Sequence, residues 1–173
     1  MNNEIFWIDG PWHGKLAIVT RPRGDDWLLD EMQRLRKAGF DIILSLLEHS
    51  ENRELGLTGE RAAAEGRGMQ FFSFPIADRS IPASRWEAME IVEQVGNALR
   101  DGKNVAIHCR QGIGRSSMMA AALLVTQGDP FQKVTTGAAF ERIQRARGVS
   151  VPDTDAQSEW VAQVERLEKM PVL

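Results

Sequence analysis

Tyrosine occurs nowhere in the 173 residues, and cysteine occurs once. The first absence excludes control through phosphorylation of the chain's own tyrosines. The second excludes an internal disulfide and a four-thiolate metal site, and it leaves an oxidised thiol to be recovered through a backbone sulfenamide or an external thiol. Histidine is scarce too: His13, His49 and His108 stand at no ligand spacing, so no zinc site and no metal cofactor are expected. No stretch reaches the roughly 18 apolar residues of a membrane span, and MNNEIFWIDG carries no basic leader followed by a long apolar segment. A cytoplasmic protein without a membrane partner is the expectation. The net charge of −3 gives no general pull toward nucleic acid, so any anion must be held by a local cluster of positive groups. With 43% apolar residues the chain is too apolar for disorder, and its length suits one domain over residues 1–173, expected as a monomer.

What is present alternates between strand-like and helix-like stretches. KLAIVT (15–20) is an apolar, β-branched run that ends at RPRGD, and it reads as the first strand. From Asp25 or Asp26, Trp27, Leu28, Met32, Leu35 and Ala38 recur at helical steps, and Gly39 stands where a stop belongs. DIILSLL (41–47) reads as a buried strand, residues 52–67 as one polar helix, and MQFFSFPI as a third strand. PIADRSIP is a loop by its two prolines. Ser84 and Glu87 then form a capping box for a helix whose apolar face is Trp86, Met89, Val92, Val95 and Leu99. NVAIH is a central strand, SSMMAAALLV a helix buried on most sides, and two further helices occupy about 130–146 and 154–169. Strands separated by helices imply an α/β fold with a central, mostly parallel sheet flanked by helices.

The single thiol sits in VAIHCRQGIGRS, where a buried strand delivers Cys109 to a tight loop that opens the buried helix. A loop of successive N–H groups at a helix N-terminus forms a concave nest for phosphate oxygens. Gly112 and Gly114 permit the torsions and close approach that such a nest needs. The dipole, the N–H groups and the Arg115 guanidinium all favour an ionised nucleophile at Cys109. Arg115 offers a planar fork for two phosphate oxygens. Ser116 is placed to donate a hydrogen bond to the sulfur, and the His108 ring to order the loop. Arg110, Gln111, Gly112, Ile113 and Gly114 complete the expected substrate-binding loop, with Arg110 as one basic group at its rim.

His-Cys, five residues and Arg-Ser resemble the signature of the cysteine-dependent protein tyrosine phosphatases, and the short loop is most similar to their dual-specificity branch. The resemblance runs from about GKLAIVT to SEWV. It implies a cysteinyl-phosphate intermediate on Cys109, Arg115 binding the phosphoryl oxygens, and a general acid in a loop upstream. Asp78, 31 positions before Cys109 and inside FPIADRSIP, fits that acid in spacing and context. Gln157, in PDTDAQ, resembles a late glutamine with which some relatives place the attacking water. The expected partner is a phosphorylated protein or peptide carrying phosphotyrosine, with pocket depth deciding whether the shorter phosphoserine and phosphothreonine are also reached. Inositide and RNA 5'-phosphate substrates, sulfur transfer of the rhodanese kind, and a phosphate-reading module without turnover are the alternatives. Arg21, Arg23 and Arg79 are further candidates for the substrate mouth, whereas Trp27, Trp86 and Trp160 are expected to pack in the core.

Overall fold

The computed structural model describes residues 4–170. Among them, five strands form one sheet in the order β1-β2-β5-β3-β4. These are β1 (Ile5–Ile8), β2 (Leu16–Val19), β3 (Ile42–Ser45), β4 (Gln70–Ser73) and β5 (Val105–His108). β1 runs antiparallel to β2, and all the other pairings are parallel. The mostly parallel α/β sheet is therefore as expected. β1 is the strand that periodicity missed, because IFWI is a short edge segment with a mixed burial pattern.

Strand alternation sorts the core into two layers. Leu16, Ile18, Ile42, Leu44, Val105 and Ile107 face one cluster, built with α4 (Arg85–Arg100), α5 (Arg115–Thr126), α6 (Thr136–Arg147) and α7 (Asp155–Glu168). Ala17, Val19, Ile43 and Ala106 face the other, with α1 (Leu28–Lys37) and α3 (Glu60–Glu65). α5 is buried along nearly its whole length, as its all-round apolar sequence requires, and α4, α6 and α7 pack around it. β5 lies between β2 and β3, so its carboxyl end opens at the middle of the sheet, the place where open parallel sheets bind ligands.

Three details depart from the sequence reading. The polar stretch 52–67 is two short helices, α2 (His49–Glu54) and α3, broken around Gly56, whose φ of +68° suits a residue without Cβ. Trp27 belongs to a 3₁₀ turn before α1, and it is exposed beneath the Arg23 guanidinium, 4.3 Å from the ring centroid. Leu28, the first residue of α1, is buried as that face requires. Trp86 is 75% exposed: it lies about a third of a turn round α4 from Val92, and Ala88 takes the inward position. Trp160 is buried as expected. Ser84 does cap α4, accepting from the Glu87 N–H at 3.2 Å.

Candidate active site

The carboxyl end of β5 places Cys109 at the base of a small cavity of about 120 Å³, lined by Asp78, Arg79, Cys109, Gln111, Gly114, Arg115 and Asp153. The thiol is only 2% exposed, and the Gly112 N–H donates to its sulfur at 3.2 Å. Gly112 adopts φ +68°, and a Cβ there would lie 3.1 Å from Ile18 Cγ2, so the turn requires glycine on both counts.

The loop's carbonyls are turned outward and held by arginines. Arg21 Nη1 donates to the Arg110 carbonyl at 3.0 Å, and Arg147 donates to the Gln111 and Gly112 carbonyls at 3.3 and 2.8 Å. In a trans peptide the next N–H points opposite to the carbonyl, so these contacts direct the N–H groups of Gln111, Gly112 and Ile113 inward. Arg147 is itself seated on Phe6, 3.9 Å from the ring centroid. Gly114 caps α5 without a side-chain acceptor, which leaves the helix's first-turn N–H groups available to an anion.

Arg115 is the largest fully buried side chain. Its guanidinium grips Glu51 of α2 bidentately, Nη1 to Oε2 at 2.7 Å and Nη2 to Oε1 at 2.9 Å, and Nη1 also donates to the Ile76 carbonyl at 2.8 Å. Burial opposes the charge on Arg115, but the Glu51 hydrogen bonds and the nearby Cys109, Glu51 and Asp78 outweigh it and push its pKa above the usual arginine range. Burial likewise works to raise Glu51, and the Arg115 and Glu48 hydrogen bonds overcome it and hold the carboxyl below its ordinary range. The pair is preorganised: the guanidinium cannot swing away from the sulfur without breaking buried contacts.

Strand alternation puts His108 on the same face as Ala106, toward α3, where Nε2 meets Glu60 Oε1 at 2.7 Å. Nδ1 lies 3.4 Å from the Cys109 carbonyl. The ring therefore lies between a buried carboxylate and the loop backbone. Asp78 comes from the connection between β4 and α4. Its carboxylate is 55% exposed, sits 3.0 Å from Arg115 Nη2 and accepts from the Arg79 N–H at 3.0 Å.

Several expected contacts are made differently. Ser116 Oγ is buried without a hydrogen-bond partner, and the hydrogen bond that reaches the sulfur comes from the Gly112 N–H. Arg110 does not line the cavity; it turns to Glu54 at 2.6 Å, and Glu51 lies 3.8 Å away. Ile113 packs against the larger core cluster. Gln157 is fully buried and closes the capping box of α7 with Thr154. Arg23 is paired with the buried Glu31 rather than at the mouth, and only Arg79 of the three arginine candidates lines the cavity.

The residues missed by sequence reasoning are Glu51, Glu60, Arg147 and Asp153. Nothing local separates Glu51 and Glu60 from their exposed neighbours Glu54 and Glu65. The one available signal was indirect: a buried Arg115 demands a buried carboxylate somewhere. Among the described residues, no three His, Cys, Asp or Glu side chains cluster as metal ligands, and no helix is long and apolar enough to cross a membrane.

The family model described as "Polymorphic toxin system, DSP-PTPase phosphatase" matches residues 18–129, from β2 past the Cys109 loop to the end of α5. The chain belongs to this family. Rat cyclin-dependent kinase inhibitor 3 is 30% identical over 129 residues, covering 73% of this chain and 58% of that protein. The chain thus spans little more than half the length of that curated relative. Among solved structures, kinase associated phosphatase with its catalytic-site cysteine substituted by serine superposes with a TM-score of 0.88 at 19% identity, over 99% of both chains, a likeness of fold. Tk-PTP in its active form gives a TM-score of 0.75 at 26% identity, over 94% of this chain and 96% of its own.

Proposed function

We propose that residues 1–173 form one catalytic domain, a metal-independent phosphatase that transfers the phosphoryl group of a phosphoprotein to Cys109 and then to water. The observation that carries this reading is the convergence of Cys109, Arg115 and Asp78 on one small cavity. In the first step the Cys109 thiolate attacks phosphorus, an S–P bond forms, and the P–O bond breaks with its electron pair going to the leaving oxygen. The Asp78 carboxyl gives that oxygen its proton. The inward loop N–H groups and the Arg115 fork hold the three phosphoryl oxygens as charge develops on them. A phosphoryl oxygen competes for the charge of the Arg115 guanidinium, whose Nη2 is ion-paired with the Asp78 carboxylate at 3.0 Å, and so frees the carboxyl to meet the leaving group. In the second step the Asp78 carboxylate takes a proton from water, water oxygen bonds to phosphorus, and the S–P bond breaks to restore the thiolate and release inorganic phosphate. His108, fixed by Glu60, positions the loop, and Gln111 and Gly114 shape the walls.

The rim favours a singly phosphorylated protein side chain over an inositide with several phosphates. Arg110, the rim cation, is already paired with Glu54, and Asp78 and Asp153 oppose Arg79 at the mouth. Phosphotyrosine is the preferred residue, with phosphoserine and phosphothreonine reached if the cleft admits shorter side chains. The family's description as a phosphatase and the printed name of kinase associated phosphatase support a phosphoprotein substrate. The location proposed is the cytoplasm, acting as a monomer.

The test is inorganic phosphate release from phosphotyrosine, phosphoserine and inositide substrates in the presence of chelator, with wild type and Cys109→Ser. Release from the phosphotyrosine peptide that is lost in the variant is expected. Retained binding without any release would assign the loop to phosphate reading. Persulfide on Cys109 after thiosulfate would assign it to sulfur transfer.

A further inference from the structure

We propose that Gln157 and Asp153, at the N-terminus of α7, are positioning residues that latch the Asp78 loop against the cysteine loop, so that Gln157 serves the first chemical step rather than orienting water in the second. The inference rests on the phosphatase reading above and deepens it.

The Gln157 carboxamide has its orientation fixed by the helix end. Its Oε1 accepts from the Asp153 and Thr154 N–H groups at 3.1 and 3.2 Å, while the Gln157 N–H donates to Thr154 Oγ1 at 3.2 Å. Two N–H donors on one side of the amide leave Nε2 for the other side, where it donates to the Ser80 carbonyl at 3.1 Å. Ser80 is two residues beyond Asp78, and 77 positions separate it from Gln157. A buried side chain thus spends its acceptor on its own helix cap and a donor on the acid loop.

The acid loop needs such support. Arg79 holds φ +57°, a left-handed conformation that is uncommon for a residue with a side chain and persists only where neighbouring contacts impose it. The turn is closed by the Ser80 N–H on the Ala77 carbonyl at 3.0 Å, and Asp153 Oδ1 lies 3.9 Å from Arg79 Nη1. The same α7 segment abuts the cysteine loop: a Cβ on Gly114 would lie 2.5 Å from Asp153 Oδ2 and 3.0 Å from both polar atoms of the Gln157 amide. One short segment therefore touches the loop that carries the acid and the loop that carries the nucleophile, and it sets the distance between them.

Gln157→Glu separates this latch from the helix cap, because a carboxylate still accepts from Asp153 and Thr154 but no longer donates to Ser80. Enzyme in excess is mixed with phenyl phosphate or p-nitrophenyl phosphate, and phenol release is followed through a single turnover. Partition of the phosphoenzyme between water and added glycerol is measured alongside. Expected is about a tenfold slower release from phenyl phosphate, which needs the acid, with a smaller loss for p-nitrophenyl phosphate and an unchanged partition. Asp153→Asn shifts the same ratio in the same direction by a few-fold, and it decides the matter if Gln157→Glu loses its cooperative thermal transition. An altered partition with unchanged phenol release would overturn the proposal and assign Gln157 to water; equal loss for both substrates would also overturn it. Absence of phenol release from wild type would overturn the phosphatase reading itself.

Discussion

The cysteine loop and the acid loop meet at one cavity but are built in opposite ways. From His108 to Ser117 the cysteine loop and the start of α5 are mostly buried, with outward carbonyls tied to Arg21 and Arg147 and the Arg115 guanidinium clamped by Glu51. The acid loop is largely exposed, carries a non-glycine residue at positive φ, and holds Asp78 by one backbone N–H and one shared ion pair. The difference follows from the work proposed for each. Charge stabilisation requires dipoles fixed before the reaction, whereas an acid that returns as a base must meet two different oxygens in turn.

The largest way to break this comparison is at its centre: Cys109→Ser is expected to abolish phosphate release while retaining binding of a phosphopeptide, read by calorimetry. Asp78→Asn is expected to slow turnover by about 10² to 10⁴ for poor leaving groups and much less for p-nitrophenyl phosphate. An equal loss across a series of aryl phosphates would remove Asp78 as the acid. Rigidity of the cysteine loop is tested by Glu51→Ala, which leaves a buried guanidinium without its carboxylate. Denaturant unfolding should show a loss of about 3–5 kcal/mol, whereas Asp78→Asn, in the exposed loop, should change stability by within about 0.5 kcal/mol.

An effect smaller than the loss of Glu51 concerns pH. Hydrogen bonds from Lys169 and then Thr136 push Glu165 down to about 2 and tie α7 to the start of α6. A depressed carboxylate contributes stability that is fully present above its ordinary value of about 4.3 and is lost as pH falls toward the folded value. Wild type should therefore exceed Glu165→Gln in stability by about 1–3 kcal/mol at neutral pH. The gap should close between about pH 4 and pH 2 in acid titrations followed by circular dichroism.

Much of this architecture was legible because the signals are local. An all-apolar helix after HCRQGIGRS and β-branched runs at KLAIVT and DIILSLL point to a buried helix on a parallel sheet, and the spacing of Asp78 from Cys109 is written in the chain. What was not legible depends on distant pairing. Glu51 and Glu60 look like solvated helix charges until β5 and α5 bring Arg115 and His108 to them. Arg110 looked like a free rim cation until α2 placed Glu54 beside it. Trp86 satisfied a helical spacing, yet the cost of leaving it in water is modest beside the close packing that Ala88 allows against the core.

The central claim is that Cys109 carries the phosphoryl group between substrate and water. The most direct measurement is rapid quenching of Asp78→Asn during turnover of p-nitrophenyl phosphate, whose leaving group needs little help from the acid while hydrolysis of the intermediate still lacks its base, followed by mass analysis of the peptide that contains Cys109. The account predicts one phosphoryl group on that peptide and none in the same variant carrying Cys109→Ser; phosphate released by wild type at full rate with Cys109 never modified would contradict it.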